Sequence, residues 1–229
     1  MAPELVIGHP QELFAILADR VLAAAQEALA ARSSCAMVLT GGSLARMAFP
    51  RLARLPVDWS RVDFFQGDER AVPPGDAASN HREAQALWFG PAGVPAERVH
   101  RMQGEAADLD AAAREYAALL VRVLGTPPRV DLALLGAGPD GHVCSLFPGH
   151  PLLAERARWA AAIEDSPKPP AGRITLTLPT LAAARRVVIV ALGRERAGVV
   201  REALAQRDSL LPVALVAQQG EGVVVLAEG

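Results

Sequence analysis

The chain predicts an α/β fold built on a mostly parallel, doubly wound sheet, and three observations predict it. Short apolar runs of strand length alternate with amphipathic helical patterns along the whole chain. Two of these runs, Cys35 to Leu39 and Val187 to Leu192, lead through a glycine-bearing turn into a helix, the pattern of a sheet with right-handed crossovers. No repeat, low-complexity tract or linker divides the 229 residues, which read as a single domain over 1–229.

Each element has its own signal. Pro10 to Ala31 is Ala/Leu-rich with Leu13, Ile16, Leu17, Val21 and Leu22 at helical spacing, and Ser33-Ser34 break it. Cys35 to Leu39 is an apolar strand that ends in Thr40-Gly41-Gly42-Ser43, and Leu44 to Leu55 resumes a helical pattern interrupted by Pro50. Val62 to Phe65 is a second strand. The polar stretch Gln66 to Asn80 after it is long for a plain connection, which points to a functional loop. Ser79 can cap a helix through Leu87, and Glu105 to Leu124 is amphipathic. Val130 to Leu135 has the look of a strand buried on both faces. Trp159 to Ile163, Ile174 to Leu178, Val187 to Leu192 and Gly222 to Leu226 are further strands, and Gly193 to Ala205 is a helix. Together they describe a Rossmann-like sheet flanked by helices, in which ligands sit beyond the carboxyl ends of the strands.

Composition narrows the functional classes. Hydrophobic residues make up 51% and charged residues 21%, enough to bury a core and too little charge for a disordered chain. With 23 Lys+Arg against 25 Asp+Glu the formal charge is −2, and no basic run forms a phosphate-backbone footprint, so no nucleic-acid partner is expected. The N-terminus lacks a secretory pattern and no long apolar run occurs, so the expectation is a cytoplasmic protein without a membrane partner. Two cysteines, Cys35 and Cys144, lack zinc-site spacing and are too few for a disulfide framework.

Four segments carry residues suited to chemistry. Gly41-Gly42-Ser43 lies at a strand-to-helix turn, where free backbone N–H groups and the helix dipole favour an anion. Gly67-Asp68-Glu69-Arg70 follows a strand, and Asp68 or Glu69 can orient the Arg70 fork of donors toward a carboxylate, phosphate or oxyanion. Gly136-Ala137-Gly138-Pro139-Asp140-Gly141-His142 formally contains G-x-G-x-x-G. Asp140 would repel a pyrophosphate, and Pro148-Gly149 arrives too soon for the full helix that a dinucleotide site opens. The glycines instead present His142 as a general base with Asp140 to orient it. Lastly, Arg173 and Arg196 stand at a strand edge and in a helix's first turn, where an anionic ligand would account for a basic side chain. Two sharper readings of the His142 loop find little support. Cys144 or Ser145 as a nucleophile lacks an elbow pattern, and a metal held by Asp140, His142 and His150 matches no standard ligand spacing.

In this order and spacing, Leu39-Thr40-Gly41-Gly42-Ser43, Gly67-Asp68-Glu69-Arg70 with Ser79-Asn80, Leu135 to His142 with Ser145-Leu146-Phe147-Pro148-Gly149, and Arg173-Ile174-Thr175-Leu176-Thr177 resemble the 6-phosphogluconolactonase family. The resemblance implies a cofactor-independent, metal-free hydrolase that opens 6-phospho-D-glucono-1,5-lactone to 6-phospho-D-gluconate, the second step of the oxidative pentose phosphate pathway. It implies His142, Asp140 and Arg70 as catalytic residues, and Gly41, Gly42, Ser43, Asp68, Arg173 and Arg196 as substrate- or phosphate-binding ones. The expected partner is a small sugar-phosphate lactone, and the expected state a monomer or small homo-oligomer. The related glucosamine-6-phosphate deaminases carry Asn-Glu-Pro where this chain has Leu146-Phe147-Pro148, and Asp-Glu-Tyr where it has Asp68-Glu69-Arg70. Phe147 cannot relay a proton, so ring-opening isomerisation is poorly supported. A sugar-phosphate sensor without turnover needs only the anion contacts, and the presence of His142, Asp140 and Arg70 speaks against it. Two departures stand out: Arg196 replaces the family's usual Lys, and Leu44-Ala45 its usual Thr-Pro.

Overall fold

A computed structural model of the chain describes residues 3–220 and 222–229. The strands are β1 (Glu4–Gly8), β2 (Cys35–Leu39), β3 (Val62–Gln66), β4 (Asp68–Arg70), β5 (Val99–His100), β6 (Leu132–Gly136), β7 (Ala160–Ile163), β8 (Arg173–Leu176), β9 (Val187–Ala191) and β10 (Val223–Glu228). The helices are α1 (Pro10–Arg32), α2 (Ser43–Leu52), α3 (Asn80–Ala84), α4 (Leu109–Leu124), α5 (Leu178–Ala182), α6 (Arg194–Ala205) and α7 (Pro212–Gln219). Seven strands form a wholly parallel sheet in the order β1-β10-β9-β6-β2-β3-β5.

Period-2 alternation divides each central strand between two cores. In β2, Cys35, Met37 and Leu39 pack with α1 and α2, while Ala36 and Val38 pack with α4 on the other face. The same division separates Leu132 and Leu134 from Ala133 and Leu135 in β6, and Val188 and Val190 from Val187 and Ile189 in β9. Burial on both faces is why these strands read as continuous apolar runs. Among the described residues, no helix is long and apolar enough to cross a membrane.

The chain runs outward from β2 through β3 to β5, then returns to the other side of β2 as β6 and continues to β9. The reversal lies between β2 and β6, and the crevice beyond their carboxyl ends is where a doubly wound sheet offers a ligand site.

Several elements depart from the sequence expectation. Three strands form a separate antiparallel sheet, β4-β8-β7, beside the parallel one. Of these, β4 lies inside the stretch expected to be a loop, because its polar residues Asp68, Glu69 and Arg70 hide a strand without apolar alternation. The strand expected through Leu178 ends at Leu176, since Pro179 suits the first turn of α5. The helix expected from Glu105 starts at Leu109, where the Asp108 side chain accepts the Ala111 N–H at 2.8 Å as its cap. Ser79 caps α3 as expected, but the α-helix gives way to a π-turn over Gln85–Phe89.

Candidate active site

The turn after β2 and the loop after β6 flank the crevice, and β4 and β8 close its side. A cleft of about 300 Å³ there is lined by Gly41, Gly42, Ser43, Asp68, Arg70, His142, Arg173 and Arg196, among others. Eight of the nine residues singled out in the sequence therefore share one cavity, and Asp140 stands directly behind His142.

Gly42 is the N-cap of α2, with φ at 78° in the left-handed region that favours glycine, and as a glycine it brings no capping side chain of its own. Its own N–H is taken by Glu83 Oε2 at 2.7 Å, so Gly42 is not a free donor. The N–H groups of the following turn, from Ser43 onward, have no helical partner and carry the positive end of the dipole. Arg196, in the first turn of α6, donates to the Leu192 carbonyl at 3.2 Å and still lines the cleft. A helix N-terminus and a guanidinium facing one cavity suit a phosphate.

The register of β4 against β8 sets Arg70 opposite Arg173 and Asp68 opposite Thr175. Two like charges directly opposed are destabilising without anions nearby. Asp68 supplies one: its Oδ2 lies 3.8 Å from Arg173 and accepts Ser145 Oγ–H at 2.7 Å, while Asn80 Nδ2 donates to Oδ1 at 3.1 Å. Arg173 is largely committed elsewhere, donating to the carbonyls of Lys168, Pro169 and Pro170 at 3.0, 3.3 and 3.2 Å. The Arg70 guanidinium is held by the Ala78 carbonyl at 2.5 Å, and its buried Nε has no hydrogen-bond partner among the described residues.

The expected orientation of Arg70 by Asp68 or Glu69 is thereby corrected. Alternation along β4 turns Glu69 away from the Arg70 side chain. Glu69 accepts the backbone N–H groups of Arg70, Asn80 and His81, each at 2.8 Å, together with Ser79 Oγ–H at 3.0 Å. It is a buried hub that fixes the loop before α3.

His142 has one committed nitrogen and one free. Its Nδ1 meets Asp140 Oδ1 in a short contact, and Nε2 makes no hydrogen bond among the described residues. Gly138 admits the ring: a Cβ there would lie 2.0 Å from His142 Cε1 and Nδ1. Phe147 packs on the imidazole with ring centroids 5.0 Å apart and takes the Arg173 guanidinium on its ring at 5.9 Å. Burial pushes the imidazole below its ordinary value of 6.5, against the pull of Asp140, and the Lys168 cation adds to the lowering. Burial alone would raise the Asp140 carboxyl, but His142 and Lys168 outweigh it and hold it below the usual carboxylate range. A neutral imidazole with a free nitrogen and a carboxylate behind it is equipped to take a proton from water.

The two nucleophile readings find no support in this geometry. Burial raises the Cys144 thiol well above its ordinary value, so it stays protonated, and the fully buried Ser145 hydroxyl is bound to Asp68. His150 turns away from His142: its Nε2 pairs with Asp165 at 3.0 Å and its Nδ1 caps the turn at Leu152. One residue at the site escaped the sequence reading. Lys168 Nζ lies 3.2 Å from Asp140 Oδ1, and the sequence signal was its isolation as the chain's single lysine.

Known proteins resemble the chain over nearly its whole length. Residues 8–226 match the family model described as glucosamine-6-phosphate isomerases/6-phosphogluconolactonase. The chain is 41% identical over 219 residues to the 6-phosphogluconolactonase of Rattus norvegicus, covering 92% of this chain and 85% of that protein. To the 6-phosphogluconolactonase of Streptomyces coelicolor it is 39% identical over 216 residues, covering 88% and 83%. The crystal structure of the 6-phosphogluconolactonase from Thermotoga maritima superposes with a TM-score of 0.86 at 26% identity, covering 99% of both chains. The chain belongs to the glucosamine-6-phosphate isomerase/6-phosphogluconolactonase family.

Proposed function

We propose that the protein hydrolyses 6-phospho-D-glucono-1,5-lactone to 6-phospho-D-gluconate, the second step of the oxidative pentose phosphate pathway. The observation that carries it is the His142 imidazole, held by Asp140 on one nitrogen while the ring lines the cleft. The substrate phosphate sits at the Ser43 end of α2 with Arg196, which leaves C1 of the lactone beside His142. Nε2 takes a proton as water attacks C1, and Arg70 stabilises the tetrahedral oxyanion. Collapse breaks the bond from C1 to the ring oxygen, which receives the proton back from the imidazolium. Asp68 is assigned a buried charge that keeps Arg173 in place and offers its remaining lone pairs to a substrate hydroxyl. Arg173 chiefly holds the segment that carries Lys168. We assign the enzyme no cofactor or metal, a cytoplasmic setting, and a monomeric or small homo-oligomeric state.

Following lactone loss against its spontaneous hydrolysis, with glucosamine 6-phosphate in parallel, tests the assignment. Lactone hydrolysis well above the blank, with glucosamine 6-phosphate untouched, is expected, because Phe147 offers no proton relay for ring opening. Hydrolysis no faster than the blank would reject it.

A further inference from the structure

Of the 23 Lys and Arg residues, only Lys168 is a lysine, and its ammonium stands beside Asp140 and His142. The strap that carries it, 164–172, is built to hold it there. His150 pins the strap at Asp165, and Ser166 N donates to the Ala171 carbonyl at 3.1 Å. Ser166 Oγ donates to the Lys168 carbonyl at 2.8 Å and accepts the Lys168 N–H at 3.2 Å. Arg173 gathers the carbonyls of Lys168, Pro169 and Pro170 from below. So ordered a backbone delivers the ammonium to 3.0 Å from His142 Nδ1 and 3.2 Å from Asp140 Oδ1.

Resting on the lactonase reading, we infer that Lys168 is a positioning residue that acts through His142, pinning Asp140 to the imidazole and making the catalytic imidazolium a stronger acid. An ammonium has donors only, so it cannot accept the Nδ1 proton; it binds the carboxylate and opposes positive charge on the ring. Before attack it keeps the imidazole neutral. After attack it drives the proton from Nε2 onto the departing ring oxygen. The other charges facing His142 are Asp140 on its own loop and Asp68 of β4, the latter engaged by Ser145 and Arg173, with Arg70 and Arg196 lining the same cleft. A compact ammonium fits between the carboxylate and the ring edge, where a planar guanidinium is a poorer match.

The test is the pH titration of the His142 imidazole by NMR in the free protein, in wild type, Lys168→Met and Lys168→Arg, together with the acid limb of kcat/KM. In Lys168→Met the imidazole midpoint should rise by about one unit, the size expected from losing one charge within contact distance. The acid limb should move with it and kcat should fall while KM changes little. Lys168→Arg, which keeps the charge, should return the midpoint toward wild type. An unmoved midpoint in Lys168→Met would overturn the inference, as would a raised KM with kcat and acid limb intact, which marks a direct substrate contact. Since the NMR titration needs no substrate, a wild-type protein without lactonase activity would reject the proposed function while leaving this test standing.

Discussion

Thr40 Oγ1 accepts the backbone N–H of Gly136 at 2.9 Å, joining the turn after β2 to the loop after β6 at their roots. The anion end of the cleft and the His142 end are thus set against each other by one hydroxyl across the sheet's reversal point. Thr40→Val keeps the shape and removes the acceptor, leaving the Gly136 N–H unpaired. Urea unfolding should register a loss of about 1–3 kcal/mol.

Activity should fall on the acid side as His142 gains a proton. The folded imidazole is held below 6.5, chiefly by burial, so the neutral base persists to lower pH than a solvent-exposed histidine would allow. The midpoint of the acid limb in kcat/KM should accordingly lie below 6.5. The sign for stability follows from the same shift. The unfolded chain binds this proton more readily than the fold does, so His142 makes the fold lose stability as pH drops below the unfolded value. Acid limbs recorded at several temperatures, alongside thermal melts, check both.

Gly138→Ala should disable the enzyme without unfolding it. The added Cβ would sit 2.0 Å from the His142 ring and 2.8 Å from Asp140 Oδ1, so the imidazole must leave its place between Asp140 and Phe147. A displacement of about 1 Å from the reacting geometry costs on the order of 100-fold in rate. Steady-state kinetics should show that fall in kcat while the far-UV circular dichroism spectrum stays as in wild type.

Ser145→Ala and Cys144→Ala separate buried polar groups from nucleophiles. Removing the Ser145 hydroxyl takes one hydrogen bond from the buried Asp68 carboxylate, so stability should fall by about 1–3 kcal/mol while turnover survives. Cys144→Ala should leave kcat within a factor of a few. A collapse of kcat in either folded variant, or a covalent adduct seen by mass spectrometry, would revive covalent catalysis.

The parallel sheet was legible because β2, β6 and β9 are buried on both faces, and a doubly buried strand writes itself as an unbroken apolar run. The His142 loop was legible because glycines, an acid and a histidine directly after such a strand leave few structural alternatives. What escaped was decided by partners distant in sequence. The strand character of β4 comes from pairing with β8 about a hundred residues later, and no local pattern in Asp68-Glu69-Arg70 announces it. The destination of Arg173's donors depended on how the 168–170 carbonyls fold back on it. Lys168 lies in a proline-rich segment with no period to read, and only its being the single lysine set it apart.

The central claim is that His142 is the general base of a lactonase, and kcat for 6-phosphogluconolactone in His142→Ala, corrected for spontaneous hydrolysis, tests it most directly. Loss of a general base predicts a fall of about 100- to 10,000-fold in a variant that remains folded. A kcat within a few-fold of wild type would contradict the assignment.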